Sequence, residues 1–100
     1  MFKSVDQTVS EIMQHIRDCG GPVSTWYVGI ASDPQTRLFN NHQVHENGDA
    51  WIFRNTPSHE IARAIEQYFV SRVGTDGGPG GGDVNSIHVY AYKKTRSTNP

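Results

Sequence analysis

The spacing of apolar positions changes several times along the chain, and each change marks an element. From Ser4 to Asp18 apolar side chains recur at Val5, Val9, Ile12, Met13 and Ile16, which predicts an amphipathic helix with one buried stripe. Ser4 is placed to cap its start. Cys19-Gly20-Gly21-Pro22 ends it, because glycine accepts the left-handed cap conformation and proline cannot continue a helix. His15 and Arg17 fall off the stripe and read as solvated.

The period then drops to two. Val23 to Ala31 predicts a strand that sends Trp26, Val28 and Ile30 to a core face and Thr25, Tyr27 and Gly29 to the other. Gly29 beside Tyr27 reads either as room for a ligand to approach the backbone or as a bulge. Asp33 and Pro34 supply an N-cap and a first helical residue, so a helix is expected from Pro34 to His42 or Val44. Leu38 and Phe39 anchor it, with Arg37 at the edge of the buried stripe. A turn over Glu46–Asp49 leads to a short strand, Ala50–Arg54. A third helix follows over Ser58–Val70, capped by Thr56 or Ser58, with Ile61, Ile65, Tyr68 and Phe69 as its stripe and Glu66 at the margin. The last strand, Ser86–Lys94, sets Ile87, Val89 and Ala91 on a core face against His88, Tyr90, Tyr92 and Lys94. Thr95–Pro100 is polar and reads as a loose tail. The expected class is α+β: a small three-stranded, mostly antiparallel sheet flanked by about three helices, in one domain over residues 1–100.

Composition narrows the functional classes. Hydrophobic residues make up 35% and charged residues 19%, a globular balance, and no apolar run approaches the ~20 residues that span a bilayer, which excludes a spanning helix. Met1–Asp6 lacks the order of a signal peptide, and the single Cys19 has no internal disulfide partner, so a reducing, cytoplasmic setting is expected. A net charge of −1 gives no overall basic field. A nucleic-acid partner must therefore be met by a local cluster.

Tyr27 and Arg37 supply the first candidate chemistry. Ten residues apart across a strand, turn and helix, they face the mouth of one bend. A phenol can relay a proton and a guanidinium fork matches two phosphate oxygens, the makings of a phosphodiester site. A half-buried strand tyrosine and a solvated helix arginine is the plainer reading of the same pair. Gly74–Asp83 is glycine-rich but lacks the Gly-Lys-Ser/Thr of a P-loop and precedes a strand. It is a linker by composition, although its amides could line a phosphate path and Asp76 or Asp83 could add metal ligands.

Tyr27-Val28-Gly29, followed by Arg37 and His42, resembles the second half of the GIY-YIG nuclease signature. The resemblance runs over roughly residues 26 to 70 and matches Glu66 to the family's metal-holding glutamate. It implies a metal-dependent endonuclease. One Mg²⁺ or Mn²⁺ would sit on Glu66, Arg37 would neutralise charge on the phosphate, a tyrosine (Tyr27, or Tyr92 or Tyr90) would help deprotonate a water, and His42 would assist proton transfer. The implied partner is nucleic acid, DNA ahead of RNA. The family's first strand, which bears "GIY", is absent ahead of Tyr27. Val89-Tyr90-Ala91-Tyr92-Lys93 has the look of that strand moved to the end of the chain, a circular permutation that would set Tyr92 or Tyr90 facing Tyr27. The family's asparagine has only Asn85 as a loose counterpart.

Other readings stand beside this one. Glu66 could simply pair with Arg63 one turn back. The tyrosine face could bind bases or a protein, including a second copy, in an inactive regulatory module centred on Tyr90, Tyr92 and Trp51. His42, His45, His59 and His88 could bind metal, although their spacing defines no set.

Overall fold

The Ser4 hydroxyl accepts the Gln7 amide at 3.1 Å, so helix α1 (Val5–Cys19) begins where its stripe begins, and Gly20 ends it at φ 94°. The computed structural model describes residues 4–78 and 84–100. Within α1 the buried residues are Thr8, Ile12 and Ile16, while Val5 in the first turn stays 44% exposed. His15 is half-buried, edge-on to Trp26 at 5.8 Å, rather than solvated.

Val23–Thr25, expected to open the strand, is instead a short 3₁₀ turn. The Thr25 amide and hydroxyl both donate to the Pro22 carbonyl, at 3.0 and 2.6 Å, which curls the chain there. Strand β1 is therefore Trp26–Ala31. It pairs antiparallel with β3 (His88–Lys93), from Trp26↔Lys93 to Ala31↔His88. Strand β2 (Trp51–Asn55) pairs with the other side of β3, from Trp51↔Tyr92 to Asn55↔His88. The order β1-β3-β2 makes the last strand of the chain the central one.

Alternation along the strands gives the sheet two buried faces. On the first, Trp26, Val28, Ile30, Ile52, Val89 and Ala91 pack beneath Ile12 and Ile16 of α1 and Ala62 and Ile65 of helix α2 (His59–Tyr68), with Phe69 beyond it. At ~1.5–3 kcal/mol for each large side chain removed from water, this cluster is the main source of stability. On the second face Tyr27, Ala31, Tyr90 and Tyr92 lie under Leu38 and Val44, rimmed by half-buried Phe39, Trp51 and Phe53.

Ser58 caps α2, accepting the Ile61 amide at 3.2 Å. Thr56 serves elsewhere, its buried hydroxyl lying 2.7 Å from the Ile87 carbonyl and tying the loop to the approach of β3. Tyr68, expected in the stripe, is 46% exposed, and Ala62, Ile65 and Glu66 are the buried residues of α2. The helix continues as a π-helical turn over Phe69–Val73, ended by Gly74 at φ 105°. Thr75–Gly78 then lies along the outer edge of β1. The Asp76 amide donates to the Trp26 carbonyl at 2.8 Å and its carbonyl accepts the Val28 amide at 2.9 Å, while Lys94 Nζ holds the Asp76 carboxylate at 3.1 Å. Asp83 lies outside the described residues. Among the described residues no helix is long and apolar enough to cross a membrane.

Candidate active site

Asp33 accepts both the amide (3.2 Å) and the hydroxyl (2.8 Å) of Thr36, as its capping position suggests. The helix that follows is not the expected α-helix. Thr36–Asn41 is a π-helix, closed by the His42 amide donating to the Arg37 carbonyl at 2.9 Å. In an α-helix residues five apart stand about 140° apart around the axis, from ~100° per residue. The wider π turn narrows that gap and bonds the two residues directly. Arg37 and His42 thereby serve one site from one short element.

His42 is 5% exposed and sits over the tyrosines of the second sheet face. Its ring centroid lies 4.7 Å from that of Tyr27, 4.9 Å from Tyr92 and 5.5 Å from Tyr90, while Tyr27 stacks on Tyr92 at 5.2 Å. The imidazole Nε2 is 2.7 Å from the Tyr90 hydroxyl. Nδ1 is 2.7 Å from the Asn99 carbonyl and 3.1 Å from the Tyr92 hydroxyl. A carbonyl can only accept, so Nδ1 carries the proton and the neutral ring offers its Nε2 lone pair to the Tyr90 O–H. Burial first, and the nearby Arg37 charge second to it in the same direction, hold the His42 pKa below its ordinary 6.5 against the raising effect of the Asn99 carbonyl.

The phenols are held neutral. Burial pushes Tyr90 up to about 12 and raises Tyr92 further, with neighbouring tyrosines adding to both. Tyr27 is raised chiefly by burial, with Arg37 opposing, and its oxygen accepts the Gly78 amide. Free phenolate is therefore scarce near pH 7. A tyrosine here passes protons rather than storing a negative charge.

Gly29 stands opposite Tyr90 in the register. The space beside it is taken by this chain itself: a Cβ at Gly29 would lie 2.6 Å from the Tyr90 hydroxyl oxygen and 2.7 Å from Cζ. Neither a ligand slot nor a bulge is its reason. The glycine is what lets the Tyr90 ring lie across β1.

Charge reaches the cluster from two sides. Arg37 is exposed at the rim, close enough for its charge to act on Tyr27, His42 and Tyr90. Beside it opens a cleft of about 260 Å³ whose polar lining is Ser32, Asp33, Thr36, Arg37 and Ser86. Glu66 is 5% exposed, and its charge acts on Tyr27 and Tyr90. Burial raises the Glu66 pKa against the lowering effect of Arg63, whose Nη1 lies 3.0 Å from Oε1. The alternative pairing with Arg63 is thus present. Glu66 is the one carboxylate at this place that could offer an oxygen to Mg²⁺, but burial and the Arg63 pair leave it little room for the waters that ion keeps. Among the described residues no group of three or more His, Cys, Asp or Glu side chains could hold a metal ion. The four histidines of the metal reading do not gather: His45 lies 3.3 Å from Asp49, His88 reaches the Ala31 carbonyl at 3.3 Å, and His59 Nδ1 is buried without a partner among the described residues.

Tyr27, His42, Tyr90 and Tyr92 are therefore gathered on one face with Arg37 at the rim, whereas Glu66 stands on α2, which packs against the other face, and reaches Tyr27 and Tyr90 by its charge alone. Asn85 lies in an exposed turn before β3. Asn99 and Gly78 were missed by sequence reasoning because they act through backbone groups, which no side-chain pattern reports. The tail, expected to be loose, is docked: the Asn99 amide also donates to the His42 carbonyl at 2.7 Å. No family model matches this chain, and neither a curated protein nor a solved structure matches it.

Proposed function

We propose that this chain is a divalent-metal-dependent endonuclease-like domain that hydrolyses phosphodiester bonds in nucleic acid, DNA ahead of RNA, in a reducing cytoplasmic setting. One observation carries the reading: Tyr27, the Arg37–His42 turn and Tyr90 with Tyr92, from three separate stretches of sequence, meet on one face of the sheet, with a buried acceptor already bonded to a tyrosine, while Glu66 lies on the helix against the other face. Tyr90 donates to His42 Nε2 at 2.7 Å. Tyr90 is fully buried, so the relay requires the ring to be uncovered; as a water then loses a proton to the phenolic oxygen, the phenolic proton passes to Nε2, and no free phenolate is needed. Arg37 meets charge building on the phosphate, and the cleft beside it holds the Ser32 and Ser86 hydroxyls, the Thr36 hydroxyl being taken by the Asp33 carboxylate that shares the cleft. Glu66 would hold Mg²⁺ or Mn²⁺, which when bound supplies Lewis-acid stabilisation of the scissile phosphate and leaving oxygen.

The test is incubation with single-stranded, duplex and branched DNA and with RNA, in Mg²⁺ or Mn²⁺ and in chelator, beside Glu66→Ala and Arg37→Ala. The expected result is metal-dependent cleavage, reduced by about 10²-fold or more in each variant, the scale of losing one charge-stabilising group. Retained cleavage by folded Glu66→Ala would overturn the assignment.

A second reading is an inactive binding or regulatory module. The complete burial of Tyr90 and Tyr92 favours it, together with the net charge of −1. Its mark would be binding without cleavage, with an affinity that falls steeply with salt for nucleic acid and weakly for a protein partner or a homodimer.

A further inference from the structure

The chain beyond β3 does more than trail away. Four residues form a turn closed on itself: the Thr95 amide donates to Thr98 Oγ1 at 2.9 Å, Thr98 Oγ1 donates to the Thr95 carbonyl at 3.1 Å, and the Ser97 amide donates to Thr95 Oγ1 at 3.3 Å. The turn reverses the backbone and brings Asn99 against His42. Asn99 then binds that one residue twice, amide to the His42 carbonyl and carbonyl to Nδ1, both at 2.7 Å. Pro100 favours an extended Asn99, in which amide and carbonyl are both presented to a neighbouring chain.

We propose that the Thr95–Asn99 segment is a positioning device for the proposed hydrolysis: it clips His42 at two points and fixes the tautomer that presents Nε2 to the Tyr90 hydroxyl. Its catalytic meaning rests on the nuclease reading, but the tautomer does not. The imidazole has two rival partners at Nδ1. If the Asn99 carbonyl holds it, Nδ1 is protonated, Nε2 is the acceptor and the Tyr92 oxygen takes only a minor share of the N–H. If the Tyr92 hydroxyl donated to it across 3.1 Å, the proton would sit on Nε2 and the Asn99 oxygen would face a lone pair at 2.7 Å. The shorter contact is to the group that cannot donate, so the clip decides. Other groups facing the ring are Tyr27 and Arg37, and neither bonds Nδ1. In metal sites the same logic is general, one ring nitrogen being set by what the other binds.

The experiment is imidazole ¹⁵N spectroscopy of the full chain near pH 8, without nucleic acid, compared with Thr95→Ala/Thr98→Ala, which removes the turn's side-chain bonds and leaves only the Thr98 amide on the Thr95 carbonyl at 3.3 Å to close it, and with Tyr92→Phe. The full chain should show His42 protonated at Nδ1 and lone-paired at Nε2. The turn variant should show an average of both tautomers while its amide spectrum remains folded, and Tyr92→Phe should keep the single tautomer. Where the full chain cleaves nucleic acid, the turn variant should lose about tenfold in kcat with KM little changed. A full chain protonated at Nε2 would overturn the proposal, whether or not the variants fold. So would a tautomer that Tyr92→Phe changes and the turn variant does not. A protein that cleaves nothing but shows the expected tautomers retains the clip and loses the nuclease reading.

Discussion

Placing one methyl group at Gly29 tests the packing of the whole second face. The new Cβ of Gly29→Ala would lie 2.6 Å from the Tyr90 hydroxyl oxygen, 2.7 Å from Cζ and 3.0 Å from Cε1, all too short for contact. The ring has little room to yield. Tyr90 is fully buried, its hydroxyl is bonded to His42 Nε2 at 2.7 Å, and Tyr27 stacks beside it at 6.3 Å between centroids. Overpacking of this kind costs ~1–3 kcal/mol. Loss of the buried Tyr90–His42 bond adds ~1 kcal/mol. The entropy removed from the unfolded chain returns ~0.4–1 kcal/mol. A net loss of about 2 kcal/mol follows, a substantial part of the ~5–15 kcal/mol that holds a domain folded. At ~4–8 °C per kcal/mol for a chain of this size, Tm should fall by about 8–16 °C. Urea and thermal unfolding followed by tryptophan fluorescence measure it, and a double-mutant cycle with Tyr90→Ala isolates the clash, since the alanine methyl has no ring to meet in that background. Equal stability of Gly29→Ala and the parent would refute the reasoning.

The remaining predictions concern groups buried in unusual states. His42 has a pKa held below 6.5 chiefly by burial, so on acidification the unfolded chain takes up a proton that the native state resists. Stability should fall as pH drops from about 6.5 through the lower native value, and His42→Gln should reduce that fall in urea midpoints between pH 7.5 and pH 5; an unchanged fall would refute it, while His15, lowered mainly by burial too, supplies a remainder. Thr75 Oγ1 is buried without a hydrogen-bond partner among the described residues. Exchanging that hydroxyl for a methyl in Thr75→Val should raise stability by about 1 kcal/mol in urea unfolding, and a loss of that size would show that the hydroxyl has a partner.

What could be read from the sequence was what side chains announce. Alternation in Val89-Tyr90-Ala91-Tyr92 assigned both faces of β3 correctly, and the short polar residues Ser4 and Asp33 marked two helix starts, because a cap needs that chemistry at that place. The π-helix was not legible. Leu38 and Phe39 anchor an α-helix and a π-helix alike, and the π turn is the one that buries both Leu38 and His42 while leaving Arg37 exposed at the rim. Tyr68 was misread for a related reason. It and Phe69 both lie near the apolar stripe, but Phe69 enters the first core while the edge of that core beside Tyr68 stays open.

The deeper gap lies in the order of importance within the site. The motif draws the eye to Tyr27, as if a tyrosine were the base. Burial alters that, since a phenol pushed up to about 12, as Tyr90 is, does not ionise near neutrality without a partner to take its proton. The partner within reach is His42 Nε2 at 2.7 Å, whose pKa the same burial lowers, so its ring too is held neutral. One physical cause acts in opposite directions on an acid and a base and holds both neutral, with the proton on the phenol, so that it passes to His42 only as a water gives one up to the phenolic oxygen. His42 is thus the hinge of the arrangement, and its own orientation comes from the backbone of Asn99, fifty-seven residues away in sequence. Side-chain chemistry could nominate the residues. Only the fold could say which one the others depend on.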